Sequence, residues 1–345
     1  MDHDEARKAK AHAVAVARTL VEGVVRPSTT EGEVAAPLAV GLAPAPDGGF
    51  GIALRYRLGA PDVRSIAHQV AAEIGEVGKV VDLRRTGEIR ALTGATGAGT
   101  EVGSAAVPGP RPPVVTAQAL GETGRVRPLR PGVSIAHVDV TAGTLGAFVL
   151  VDGVVHALSN HHVLAGSPSA RPGDLIVQPG PADGGGAPAD RVGTLAAFAP
   201  LVAGTTAMVD AAIALLDDPE VDPTYPVGRI TTTARALGGE PVVKIGRTTS
   251  VTRGRVTAIE LDDIVVGYGD ELGDLRFDDQ IEVEGLGTGP FSRGGDSGSL
   301  VYREDGVALG LLFAGSEYGG DNGRGLTYVN PIDAVLTALD ATLLA

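Results

Sequence analysis

Gly294-Gly295-Asp296-Ser297-Gly298-Ser299-Leu300 places one serine among glycines. A serine so flanked sits on a tight turn with its hydroxyl accessible, and the backbone N–H groups of Gly295 and Ser297 can face one point in space. Such a point is an oxyanion hole, and glycine suits it because a substrate carbonyl must come close to the backbone. The plainer reading is an ordinary polar turn in a chain carrying 50 glycines. Short motifs of this kind arise by chance, so the decision rests on what lies upstream.

A serine hydroxyl becomes a useful nucleophile only when a base takes its proton, and the base needs a third group to fix its tautomer. His162 lies in Leu158-Ser159-Asn160-His161-His162-Val163-Leu164-Ala165, after the apolar run Phe148 to Val151 and the turn Asp152-Gly153. Asp210 opens the apolar strand Asp210-Ala211-Ala212-Ile213-Ala214-Leu215-Leu216. His, then Asp, then Ser is the chymotrypsin order, distinct from that of subtilisin and of the α/β-hydrolases.

These three blocks resemble those of the trypsin-like (chymotrypsin-fold) serine peptidases, in particular their cysteine-free bacterial branch. The histidine block there reads Asn-Asn-His-Val, against Asn160-His161-His162-Val163 here; matching the His-Val pair makes His162 the base and His161 the substituted neighbour. Lys244-Ile245-Gly246-Arg247-Thr248-Thr249 and Thr252-Arg253-Gly254-Arg255-Val256 resemble the strand and turn that open the second barrel. The likeness runs from about Arg130 to the C-terminus. It implies a mainly β fold of two antiparallel six-stranded barrels with the site in the cleft between them, and a C-terminal helix. By the same resemblance His162, Asp210 and Ser297 are the catalytic residues, and the amides of Gly295 and Ser297 form the oxyanion hole. Asp296 matches a position whose buried carboxylate needs a partner, for which Arg293 is a candidate. Phe291 matches the base of the specificity pocket, where an acid would select Arg or Lys, so small or medium apolar residues are expected before the scissile bond. The stretch Leu312 to Ser316 resembles the strand that pairs with substrate backbone, with Phe313 and Gly315 in contact with it and Gly315 leaving the entrance open.

Composition narrows the rest. At 345 residues, 43% of them apolar, the chain can bury cores for more than one domain. It has no cysteine, hence no disulfide and no thiolate metal site, and no metal or cofactor is expected. A net charge of −14 argues against nucleic acid or an anionic membrane as the main partner; the partner the resemblance implies is a protein or peptide substrate. A zinc site from His156, His161, His162 and Asp210 is the weaker alternative, because adjacent histidines on a strand point apart. The start Met1-Asp2-His3-Asp4-Glu5 has no basic region followed by an apolar run, which points to the cytoplasm.

The first hundred or so residues carry no recognisable likeness. Asp4 to Val25 reads as a helix with Ala11, Val14, Ala15, Arg18, Val21 and Glu22 near helical spacing, ended by Pro27. Strands over Leu38–Leu42 and Phe50–Leu58, a helix from Pro61 through Ile74 and a strand over Val80–Ala91 complete a small α+β domain, residues 1–92. Residues 93–127, rich in Gly, Pro and Ala, read as a linker, and 128–345 as the peptidase domain. The N-terminal domain is expected to dock beside the barrels and limit access or to brace them. Pro331 to Leu339 fits a closing helix. The expected activity is that of a serine endopeptidase; the rivals are a catalytically silent scaffold on the same fold and an esterase using the same triad.

Overall fold

A computed structural model describes residues 1–24, 38–46, 48–57, 61–76, 79–91 and 119–344. Most of the expected linker therefore lies outside the described residues. Its last part, from Ala119, is packed down: Leu120 N–H donates to the Thr248 carbonyl at 2.8 Å, and Ser134 N–H donates to that of Glu122 at 3.0 Å.

The N-terminal elements are helix α1 (His3–Val24), strands β1 (Ala39–Pro44) and β2 (Phe50–Arg57), helix α2 (Pro61–Glu76), and strands β3 (Val81–Thr86) and β4 (Ile89–Ala91). The single strand expected over Val80–Ala91 is broken at Gly87-Glu88. Before the break the chain runs parallel to β2; after it, the chain has changed neighbours altogether. The buried stripe of α1 is Ala6, Lys10, Ala13 and Ala17, not the expected set around Ala11, Val14 and Ala15. Small alanines let the helix approach the sheet closely. Lys10 is drawn to the same side by Asp262, 2.7 Å from its Nζ.

The first barrel is built from β5 (Ser134–His137), β6 (Gly143–Thr144), β7 (Ala147–Val151), β8 (Val154–Ser159), the one-turn helix α3 (His161–Leu164), β9 (Leu175–Val177), β10 (Arg191–Phe198) and β12 (Ala212–Leu216), whereas β11 (Thr206–Ala207) leaves it to pair with Arg276 and Phe277 of the other sheet. Six of these strands curl in the order β7-β8-β12-β10-β9-β5. The β7–β8 hairpin turns through Asp152 and Gly153, both at positive φ (50° and 77°), as a two-residue turn matched to strand twist requires.

Three short strands follow, β13 (Thr224–Tyr225), β14 (Gly228–Arg229) and β15 (Thr232–Thr233). The second barrel comprises β16 (Pro241–Gly246), β17 (Ser250–Asp262), β18 (Ile264–Gly267), β19 (Asp274–Phe277), β20 (Gln280–Gly285), β21 (Leu300–Tyr302), β22 (Val307–Ser316) and β23 (Leu326–Pro331). Here the ring closes through six strands: β16 pairs β17, then β20, β23, β22 and β21 in turn, and β21 returns to β16. Helix α4 (Ile332–Ala338) follows Pro331 directly, and β24 (Thr342–Leu343) carries the chain end back to β7 of the first barrel. No helix among the described residues is long and apolar enough to cross a membrane.

The elements of residues 1–91 share their sheet and their core with the second barrel. β1 pairs antiparallel with β17, and β4 pairs with both β18 and β22. One contiguous apolar cluster contains Leu42, Leu54, Val70 and Ile74 together with Val256, Val283, Phe291 and Val329. An ion cluster crosses the same junction. Arg55 reaches Glu282 through Nε and Nη2, both at 2.8 Å, and Asp82 through Nη2 at 2.8 Å, while Thr257 Oγ1 donates to Glu282 at 2.7 Å. Burial opposes the Arg55 charge, but the two carboxylates outweigh it and raise the guanidinium above its ordinary range.

Candidate active site

β8 ends at Ser159, and the chain folds at once into α3, whose first turn is closed by the Leu164 N–H donating to the Asn160 carbonyl at 3.0 Å. The turn buries His162 and sets its ring edge-on to that of Tyr268. Asp210 lies just before β12, and its N–H donates to Oδ1 of Asn330 on the second barrel at 2.9 Å. The two meet: His162 Nδ1 is 2.5 Å from Asp210 Oδ2, and His162 N–H donates to Oδ1 of the same carboxylate at 3.2 Å. Asn160 Nδ2 donates to the Asp210 carbonyl at 2.6 Å, locking the loop from behind. Burial alone would push the Asp210 carboxyl up; the His162 charge and hydrogen bond, helped by the Tyr268 hydroxyl, outweigh it and hold the group below the usual carboxylate range.

Ser297 comes from the second barrel and faces the same seam. Its carbonyl accepts from Thr144 N–H at 2.8 Å, and Thr144 Oγ1 donates to the Gly295 carbonyl at 2.8 Å, so the turn is laced to the first barrel on both sides of the serine. Gly298 makes this contact possible. It has φ +92°, and a Cβ there would lie 2.1 Å from Ser159 Oγ and 2.3 Å from the Thr144 carbonyl oxygen. Gly295 has the same φ, and its N–H has no acceptor among the described residues, as an oxyanion donor requires. Ser297 Oγ donates to the Phe313 carbonyl at 3.2 Å, while His162 Nε2, the nitrogen that would take the serine proton, makes no hydrogen bond among the described residues.

Asp296 finds its partner elsewhere than expected. Arg293 contributes only its backbone N–H, at 2.9 Å; the cation is Lys244, whose Nζ lies 3.3 Å from Asp296 Oδ2. The N–H groups of Thr248 and Thr249 (2.9 and 3.0 Å) and the Thr249 hydroxyl (2.7 Å) complete the cradle. Both charged side chains are wholly buried. Burial pushes the Lys244 ammonium below its ordinary value against the pull of Asp296. A lysine inside the apolar run Val242-Val243-Lys244-Ile245 was the available signal in the chain, since a charge in such a strand needs a buried partner. Removing it strands the carboxylate. Lys244→Met is expected to cost about 3 kcal/mol in urea unfolding and to slow labelling of Ser297 as the turn loosens; an unchanged midpoint would show that the amides alone hold Asp296.

The expected substrate-contact residues fare differently. Phe291 is 1% exposed, its ring in the shared apolar core beside Val256 and Val283. Phe313 is buried too, its ring 4.8 Å from that of Phe277, so only its carbonyl faces Ser297. Gly315, expected to leave an open entrance, is paired: β4 lies antiparallel on this edge of β22 with Ala91 opposite Ala314, Arg90 opposite Gly315 and Ile89 opposite Ser316. His161 is buried on α3 with its ring edge-on to Phe198 at 5.0 Å, and burial lowers its pKa. No cluster of three or more metal-ligating side chains occurs among the described residues. Tyr268, which nothing in the sequence marked out, donates its hydroxyl to Asp210 Oδ2 at 2.6 Å.

No family model matches the chain, and no curated protein matches it. Among solved structures it is similar to protease A of Thermobifida fusca, at 19% identity and TM-score 0.45, over 63% of this chain and 98% of that one. It is also similar to a glutamic acid specific serine protease (24% identity, TM-score 0.44, 63% of this chain and 100% of that one). A third is the chymotrypsin of Cellulomonas bogoriensis (20% identity, TM-score 0.42, 63% and 98%). Each of these likenesses spans about three-fifths of this chain and nearly the whole of the other.

Proposed function

We propose that this protein is a serine endopeptidase that hydrolyses peptide bonds through an acyl-enzyme on Ser297. His162 takes the hydroxyl proton as Oγ attacks the scissile carbonyl and returns it to the leaving amine; Asp210 holds the imidazole tautomer and stabilises its charged form; the Gly295 and Ser297 amides receive the oxyanion. The observation that carries this reading is the buried His162–Asp210 pair placed across a barrel seam from a serine on a glycine-kinked turn. A fluorophosphonate probe tests it. Stoichiometric labelling of Ser297, lost in His162→Ala, together with cleavage of a peptide library, is the expected result. No labelling would favour the silent scaffold, and labelling with ester but no peptide turnover would favour the esterase.

The same reading gives β4 a role. If substrate backbone adds to the Phe313–Gly315 edge, as the resemblance implies, β4 occupies part of that place and restrains access to the cleft. Its three residues form a marginal ladder, each hydrogen bond worth about 1 kcal/mol net. Arg90→Pro removes an N–H from that ladder and is expected to raise kcat/KM for a short peptide about tenfold, as loss of about 1.4 kcal/mol would, with the thermal midpoint little changed. Equal or lower turnover rejects restraint in favour of bracing.

A further inference from the structure

We infer that Tyr268 is a positioning residue of the triad: its hydroxyl holds Asp210 ionised and oriented, and through Asp210 it sets the His162 imidazole. This rests on the reading of Ser297, His162 and Asp210 as a catalytic set.

Asp210 is completely buried, so its carboxylate depends on donors supplied by the protein. Oδ1 accepts the His162 N–H, and Oδ2 accepts both His162 Nδ1 and the Tyr268 hydroxyl. Tyr268 is therefore the only side chain besides His162 that bonds this carboxylate among the described residues. The one donor to Oδ1 and the imidazole on Oδ2 come from the same residue, which cannot fix itself; the phenol supplies the independent anchor from the second barrel. Tyr268 follows β18, and its N–H closes the hairpin by donating to the Gly273 carbonyl at 2.8 Å. Its ring is stacked on Phe277 (5.9 Å, 23°) and edge-on to His162 (5.9 Å, 74°), and Phe277 rests on Phe313. A rigid aromatic stack thus runs from the residue whose carbonyl meets Ser297 Oγ to the one that holds Asp210.

The consequence for chemistry follows from what happens when the hydroxyl is taken away. Oδ2 keeps a single donor, the carboxylate is held by His162 alone, and small rotations of the pair carry Nε2 away from the serine. The carboxylate also gains proton affinity, because a hydrogen bond to the charged form is lost. The groups facing Asp210 are His162 and His161 of α3 and Tyr268 itself.

Tyr268→Phe keeps both ring contacts and deletes only the oxygen. The expected result is a kcat lower by about ten- to a hundredfold, the range for a lost hydrogen bond to a charged group, with KM within about twofold and the acid limb of the rate profile displaced to higher pH. Rates are taken per fluorophosphonate-titrated site, so a misfolded fraction does not count. In the same variant the His162 Nδ1 proton resonance should move downfield, since Oδ2 then bonds that proton alone. An unchanged kcat per titrated site and an unmoved resonance would overturn the inference. So would a loss that appears in KM alone. The resonance is read without turnover, so it separates failure of this inference from failure of the peptidase reading, which Ser297→Ala tests directly.

Discussion

Ser297→Ala is expected to leave a folded protein with peptide hydrolysis lower by on the order of 10⁴-fold or more, the scale on which a triad member contributes when its partners remain. The side chain is wholly buried and its hydroxyl donates to Phe313, a bond of the kind worth about 1 kcal/mol net. His162→Ala should lose a similar factor, and the double variant should lose little more than either single one, because the two act as a unit on one proton. Non-additivity is the sharper reading. Two residues that merely support the fold would add, whereas a nucleophile and its base would not. Turnover in purified Ser297→Ala comparable to that of the parent protein would sink the mechanism, whatever the labelling experiment gave.

Arg55→Ala is expected to destabilise the protein by about 3–5 kcal/mol, the usual cost of removing one partner from a buried ion pair. Domains commonly have only about 5–15 kcal/mol in total, so the loss is large. The cost arises on the partner's side: Glu282, with its side chain wholly inaccessible, keeps the Thr257 hydroxyl but loses three guanidinium contacts. Arg55→Met with Glu282→Leu should be much closer to neutral, since no unpaired charge is then left inside. Equilibrium urea unfolding measures both. Because Glu282 belongs to the closed barrel and Arg55 to the N-terminal sheet, the single variant should lower the midpoint of one cooperative transition. Two separate transitions would mean that residues 1–91 unfold independently of the barrel.

Much of the candidate site was legible because its chemistry is local in the chain. Gly295 and Gly298 flank Ser297 at positions whose backbone no side chain tolerates, and Asp210 stands at the head of an apolar strand. The helix-strand-strand-helix order ahead of β3 was legible for the same reason, since periodicity and proline record local conformation, while the break between β3 and β4 was not. The partners of charged groups were not. Lys244 reaches Asp296 across 52 positions and Tyr268 reaches Asp210 across 58, distances over which neither spacing nor residue type specifies a contact. Arg293 was a candidate cation for Asp296, yet it meets the carboxylate through its backbone N–H.

The sequence by itself determined that His162, Asp210 and Ser297 follow one another in the chymotrypsin order, and that the C-terminal two-thirds would form short strands separated by glycine turns. Tertiary structure alone decided that the N-terminal strands join the second barrel's sheet, that β4 lies on the edge at Gly315, and that Phe291 belongs to the core. The reason is physical. A strand's edge groups pair with whatever edge the folded chain brings near, and an apolar side chain is buried by whichever surface arrives, so neither outcome is written in the residues beside it.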